Sequence, residues 1–255
     1  MTTTQRDAIA APAVGLVIYN TTSNCLNFYA GSTWHETCGT IPPSIGNYPP
    51  GSVFCALGAA AVVDVTNPTT GKTWMDRNLG ATQVATGSTD ADSYGDLYQW
   101  GRLKDGHQCR TSSTTSTNSS DDTPGDALFI LETVVPYNWR STQNDNLWQG
   151  VDGTNNPCPG GYRLPTSTEL DNERNSWGSN NSAGAFGSVL KLPMPGYRSY
   201  SDGSFLGVGT DALYWSSTVN GAYVWDLYVN SSNVQFDSNP QGYGSSVRCL
   251  KDYNI

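Results

Sequence analysis

Between Gly196 and Leu250 two kinds of text alternate, and the alternation limits the architectures open to the chain. Short stiff segments recur: Gly196-Tyr197-Arg198, then Tyr214-Trp215-Ser216-Ser217-Thr218, then Ser246-Val247-Arg248-Cys249. Their β-branched and aromatic residues suit a pleated, half-buried surface, so they read as a frame of strands. Between them lie inserts in which Tyr, Trp, Asp, Leu, Gly and Pro are scattered among Ser and Asn. These read as strand faces and loops whose side chains have no identity dictated by the fold. Function is expected in the inserts.

The chain's 255 residues hold one large domain, or one domain with a small appendage. A formal net charge of -9 argues against nucleic acid, which requires a basic footprint, and against an anionic membrane surface. Charged residues are few while Ser, Thr, Asn, Gly, Tyr and Trp abound, a composition of loop-rich extracellular β proteins. No apolar run approaches the ~20 residues needed to span a bilayer, so no direct membrane insertion is expected. The N-terminus lacks the basic start and apolar core of a signal peptide.

Six dispersed cysteines, with no CxxC and only His35 and His107 beside them, fit disulfides better than zinc. The expected pairs are Cys25–Cys38, from the short N-terminal meander, Cys158–Cys249, tying the chain before Pro165 to the last strand, and Cys55–Cys109. That places the protein outside the cell, on a cell surface or in a virion.

Along the chain, residues 1–40 read as a small β-meander: Leu16 to Tyr19, a turn at 20–24, Cys25 to Tyr29, a turn at Gly31-Ser32, then Thr33 to Cys38. Trp34 should pack on Tyr19 or Phe28. A unit this small buries little and must dock on something or be stapled. Residues 41–52, rich in proline, read as an extended linker. Residues 53–255 read as one domain. Within it Ala59 to Val65 is a buried strand, Lys72 to Asn78 a strand with Trp74 inward, and Tyr94 to Arg102 an amphipathic helix. Residues 111–122 form a polar loop, Trp139 and Trp148 flank another, and Thr166-Ser167-Thr168-Glu169 is a capping box for a helix reaching about Trp177. Two short helices among short antiparallel strands make an α+β fold.

Several motifs carry family resemblances. TWMDRNLGA (73–81), YGDLYQWGR (94–102), DGHQ (105–108), NPCPGGYRLPT (156–166), KLPMPGYR (191–198), YWSST (214–218) and SVRC (246–249) occur in one order. Together they resemble the Fibrobacter succinogenes major paralogous domain. That resemblance covers about residues 53–252 and implies a C-type lectin-like fold, shared with formylglycine-generating enzymes, and much less about activity. The segment 2–34 resembles a short unit common in surface and tail-fibre-like proteins of Bacteroidetes and their phages, which commonly precedes a C-terminal head. Residues 196–248 are similar to variable regions of proteins diversified by retroelements that randomise template adenines. An AAC codon changed at its adenines never yields Lys, Glu, Gln, Met or Trp; no Lys, Glu or Met lies between Gly196 and Arg248, and Trp225, Gln235 and Gln241 require other template codons.

Candidate ligand contacts follow from the inserts: Tyr200, Asp202, Leu206, Asp211, Leu213, Tyr223, Trp225, Tyr228, Gln235, Asp237, Asn239 and Tyr243. On one outer face they would give large aromatic contact area at low entropic cost. Leu206, Leu213 and Trp225 would be exposed apolar groups. Tyr223 and Trp225 share strand parity with the inward-looking Leu227 and Val229, so exposing both sets requires a bulge or twist. Trp74, Trp100 and Trp215 read as core. Asp76, Arg77, Arg163, Arg198 and Arg248 read as ties fixing irregular chain. Asp121, Asp122 and Asp126 lack calcium-loop spacing, and the lectin calcium motifs are missing. No cofactor, catalytic residue or metal site is implied. The leading expectation is a non-catalytic protein that binds a bacterial surface protein or glycan, its N-terminal segment joined to a larger fibre or assembly. The competing ones are a secreted enzyme of the formylglycine-generating fold or one acting on cell-wall glycans, and a structural surface domain without a specific ligand.

Overall fold

The computed structural model describes residues 1–23, 25–37, 48–55 and 61–252. The chain divides into two compact units, Met1–Ser44 and Ile45–Ile255. Cys38, and with it the expected Cys25–Cys38 bond, lies outside the described residues, as does most of the expected linker.

The first unit begins with helix α1 (Thr3–Asp7), capped by Thr2 and Gln5 in a reciprocal capping box. It continues into an antiparallel meander of β1 (Val17–Asn20), β2 (Cys25–Tyr29) and β3 (Trp34–Thr37), with β2 central. The register pairs Val17 with Phe28 and Phe28 with His35, and Tyr19 with Leu26. Trp34 lies opposite Tyr29 and packs on that ring at 5.4 Å, rather than on Tyr19 or Phe28. Directly opposed residues share a face, which decides the partner.

In the second unit the strands are β4 (Asp64–Thr66), β5 (Thr73–Met75), β6 (Tyr98–Gln99), β7 (Thr114–Thr115), β8 (Phe129–Ile130) and β9 (Tyr162–Arg163). Helices α2 (Ser167–Arg174) and α3 (Ser182–Gly187) follow. The chain ends in β10 (Tyr197–Arg198), β11 (Phe205–Leu206), β12 (Ala212–Asn220), β13 (Tyr223–Val229), β14 (Val234–Pro240), β15 (Gly244–Ser245) and β16 (Leu250–Lys251). Sheets of order β11-β10-β15-β6, β12-β13-β14 and β4-β5-β16-β9 are antiparallel, and β7 pairs with β8 in parallel. The fold is α+β: small sheets, few short helices and long connections.

Short strands cannot hold such long connections by ladder bonds alone. Buried indoles do part of that work, because each N–H must find an acceptor. Trp100 donates to the Ser216 carbonyl, Trp139 to Trp100, Trp148 to Arg102 and Trp215 to Tyr98, at 2.7 to 3.2 Å. Arg248 binds Asn78 Oδ1 and the Met75 and Leu190 carbonyls, and Arg198 binds Ser112 and the Gly203 carbonyl. Bonds Cys55–Cys109 and Cys158–Cys249 close the chain further.

Two local expectations give way. Residues 94–102 are no helix: a 3-10 turn at Ala91–Ser93 is followed by an extended run into β6. Gly95 and Gly101 have positive φ, and a Cβ at Gly95 would meet the Leu79 carbonyl at 2.5 Å. Backbone conformation overrides apolar spacing there. The strand expected at 59–65 starts only at Asp64 and is largely exposed, with 56–60 outside the described residues. The stretch between Trp139 and Trp148 is irregular as expected, and both flanking indoles are fully buried in the core.

Candidate ligand-binding face

The site is built on the β12-β13-β14 meander and on the edge of the sheet beside it. Register pairs Tyr214–Leu227–Phe236 and Ala212–Val229–Val234 on one face, packed against Leu170 of α2 and Ala185 of α3. The other face carries Trp215–Asp226–Asp237, Leu213–Tyr228–Gln235 and Val219–Val224–Asn239. Trp215, Val219 and Val224 enter the second apolar cluster, around Trp100 and Trp148. The sheet therefore buries one face at one end and the opposite face at the other. A bulge between Trp215 and Val219, where β12 runs longer than β13, accompanies the change. Ser217 there binds the Pro165 carbonyl through its own N–H, and its carbonyl accepts from Gln149. This local structure reconciles Tyr223 and Trp225 with the parity of Leu227 and Val229.

The expected single face divides as a result. Tyr223 and Trp225 lie half-buried on one side, with Ser238 opposite Trp225. Tyr228, Gln235, Asp237 and Asn239 lie on the other. Leu213, expected to be exposed, is 4 % exposed: it lies opposite Tyr228 across the ladder, and its carbonyl accepts from the Ser246 N–H of the frame. Leu206 is exposed at 41 %, and Asp202 is exposed with its carboxylate holding Ser204.

Around Tyr228 the remaining residues gather. Tyr228 donates its hydroxyl to Asp211 at 3.1 Å, and the Asp211 carbonyl accepts from Gly196. Leu206 stands opposite Tyr197 across the β10–β11 ladder. Tyr197 meets Tyr243 edge-on at 5.6 Å, Tyr243 meets Tyr200 edge-on at 4.6 Å, and Tyr200 stacks on Tyr137 at 4.7 Å. A tyrosine row thus continues from Tyr137 to the Tyr228–Asp211 pair. Sequence reasoning missed two of its members. Tyr197 was assigned to the frame, and Tyr137 carried no local signal, being brought in from a distant loop.

Burial raises the Tyr243 hydroxyl to about 12, helped by Tyr200, Tyr197 and Asp226. Burial also raises Tyr197 and Tyr228, with Asp211 beside both. All three are neutral hydroxyls at physiological pH, able to donate and accept. Asp226 is fully buried, accepts from Asn239 at 2.8 Å through one oxygen, and is pushed well above the carboxylate range by burial. Half-buried tyrosines beside Asp211 and Asp237 can present ring edges and hydroxyls to a ligand.

Catalytic arrangements are less well served. Cys109 is disulfide-bonded, and the His107 ring is fully buried, its Nε2 accepting the Gln99 N–H at 3.0 Å while Nδ1–H donates to Asp105. Burial pushes His107 down to about 4, so it is neutral. A cavity of about 510 Å³ bounded by Tyr48, Leu103, Val151, Asp152 and Asn156 has Asp152 as its one carboxylate among the described residues. The described residues contain no group of three or more His, Cys, Asp or Glu placed to hold a metal ion, Asp121, Asp122 and Asp126 included.

Residues 1–49 match the family described as a phage tail like trimerisation region. No curated protein matches the chain, and no solved structure does.

Proposed function

We propose that the chain is a non-catalytic, tail-borne binding protein. Its N-terminal unit assembles three copies, as the name of the matched family suggests, and its larger unit presents the tyrosine face to a protein or glycan on a bacterial surface. The observation that carries the reading is the row Tyr137–Tyr200–Tyr243–Tyr197, continued by Leu206 and the Tyr228–Asp211 pair. Most of these side chains come from inserts with no pattern imposed by folding, yet they converge. Rigid aromatic groups with small polar neighbours are economical recognition surfaces. The resemblances of residues 53–252 to the Fibrobacter succinogenes major paralogous domain and of 196–248 to retroelement-diversified regions support the same reading. In it the larger unit is a C-type lectin-like head whose inserts vary.

The test is binding of the fluorescently labelled full chain to a panel of intact bacterial cells, beside the triple variant Tyr197→Ser, Tyr200→Ser, Tyr243→Ser. Loss of cell binding at unchanged thermal stability supports the reading; undiminished binding overturns it. Treating the cells with protease or with periodate before binding assigns the ligand to protein or glycan.

A further inference from the structure

The meander of the first unit has two unlike faces. One is covered: Ile18, Asn20, Cys25, Asn27 and Tyr29 share it with Trp34, and α1 lies over it. Thr3 exchanges hydrogen bonds with Asn20, Arg6 donates to Asn27 at 2.7 Å, and the Arg6 guanidinium lies 5.9 Å from the Trp34 ring. The opposite face carries Val17, Tyr19, Leu26 and Phe28, exposed by 57, 44, 51 and 37 %. His35 stacks on Phe28 at the edge of the same face. The unit thus covers Asn20 and Asn27 together with Ile18, Cys25, Tyr29 and Trp34 under its helix and carries further apolar side chains on its other face. A half-buried sheet has one apolar side, and this sheet has apolar residues on both. Scattered exposed apolar residues need no explanation, but four on adjoining strands of one small sheet form a patch.

We propose that this face is the contact between three copies of the chain. The proposal rests on the trimeric reading above and adds to it the surface used. Three short sheets, each turning its apolar side to a threefold axis, enclose a prism-shaped core. Leu26 and Phe28, on the central strand, lie nearest its middle, Val17 and Tyr19 extend it on β1, and His35 marks the rim. A three-stranded sheet is too small to bury a core by itself, and threefold packing supplies the missing layer. The side already joined to α1 remains outward.

The test is the solution mass of the full chain by sedimentation, for the natural sequence and for the double variant Leu26→Glu, Phe28→Glu. The natural chain is expected at three times the 27.4 kDa of one copy, and the variant at one copy. A variant whose mass falls while the thermal transition of its larger unit is unchanged supports the proposal. A natural chain that is not trimeric overturns both the proposal and the trimeric reading. A trimeric natural chain with a variant that stays trimeric overturns the face alone. Because two charges also load the meander itself, Phe28→Cys provides a second measurement. Thiol-specific crosslinking should join copies of the natural fold through position 28, and absence of crosslinked chains from a trimeric sample overturns the assignment.

Discussion

The two three-stranded meanders, β1-β2-β3 and β12-β13-β14, have the same order and the same antiparallel pairing, yet they face solvent in opposite ways. The first exposes an apolar face and covers with α1 a mixed one, where Asn20 and Asn27 bind the helix. The second buries apolar side chains on both faces, at opposite ends, and leaves Tyr223, Tyr228 and Asp237 half-buried at its surface. Topology alone therefore does not say what a sheet is for. An exposed aliphatic face is a demand for burial, which another copy satisfies. An exposed tyrosine face is soluble as it stands and gains only when a ligand with matching groups arrives.

The sharpest way to break the comparison is to attack a residue that the second meander buries and the first would expose. Trp215→Ser removes a fully buried indole and orphans the Tyr98 carbonyl it serves. A loss of about 5 kcal/mol is expected in urea unfolding of the larger unit. Leu26→Ser, on the bare face of the first meander, should leave the larger unit's midpoint unchanged. Equal effects would remove the distinction.

Next in size is the covalent tie. The Cys158–Cys249 bond spans 91 residues and anchors the chain beside β16. Replacing both cysteines by Ala should lower stability by about 4–5 kcal/mol on the loop-closure description. Denaturant melts of the oxidised protein and the double variant measure it.

Two carboxyl groups should respond oppositely to pH. Burial opposes ionisation of Glu169, but Arg163 and the capped Thr166 N–H outweigh it and hold the acid at about 2, below 4.5. Its contribution is present above pH 4.5 and is lost as pH falls towards 2, in all about 3 kcal/mol. Glu169→Gln should flatten that acid limb. Asp226 is raised by burial, with Asn239 opposing and Asp237 adding to the shift. Its neutral form is favoured in the fold, so its contribution is complete below the unfolded value of 3.8 and is lost as pH rises through the elevated one. Asp226→Asn should therefore stabilise the protein at pH 7, by on the order of 1 kcal/mol, and have little effect at pH 3. Thermal melts across pH separate the two limbs.

What the sequence disclosed follows from how local each signal is. The N-terminal strands, the Thr166 capping box and the buried Trp74, Trp100 and Trp215 rest on neighbouring residues, and the structure contains them. The 94–102 segment misled because its apolar spacing mimics a helix while Gly95 and Gly101 adopt positive φ. Leu213 misled because its insert position resembles that of Leu206, and only the ladder shows which is covered. The split of Tyr223 and Trp225 from Tyr228 depends on a register that no single strand reveals. Tyr137 was invisible since its partner Tyr200 is far away in sequence.

Tyrosine-directed radical footprinting of the full chain, free and bound to cell envelopes, probes both meanders in one measurement. Tyr19 should react weakly in both states, being enclosed by neighbouring copies, while Tyr200 and Tyr243 should react when free and become protected on binding. Strong reaction of Tyr19 in the free protein, or unchanged reaction of Tyr200 and Tyr243 on bound envelopes, would contradict the division of labour between the two sheets.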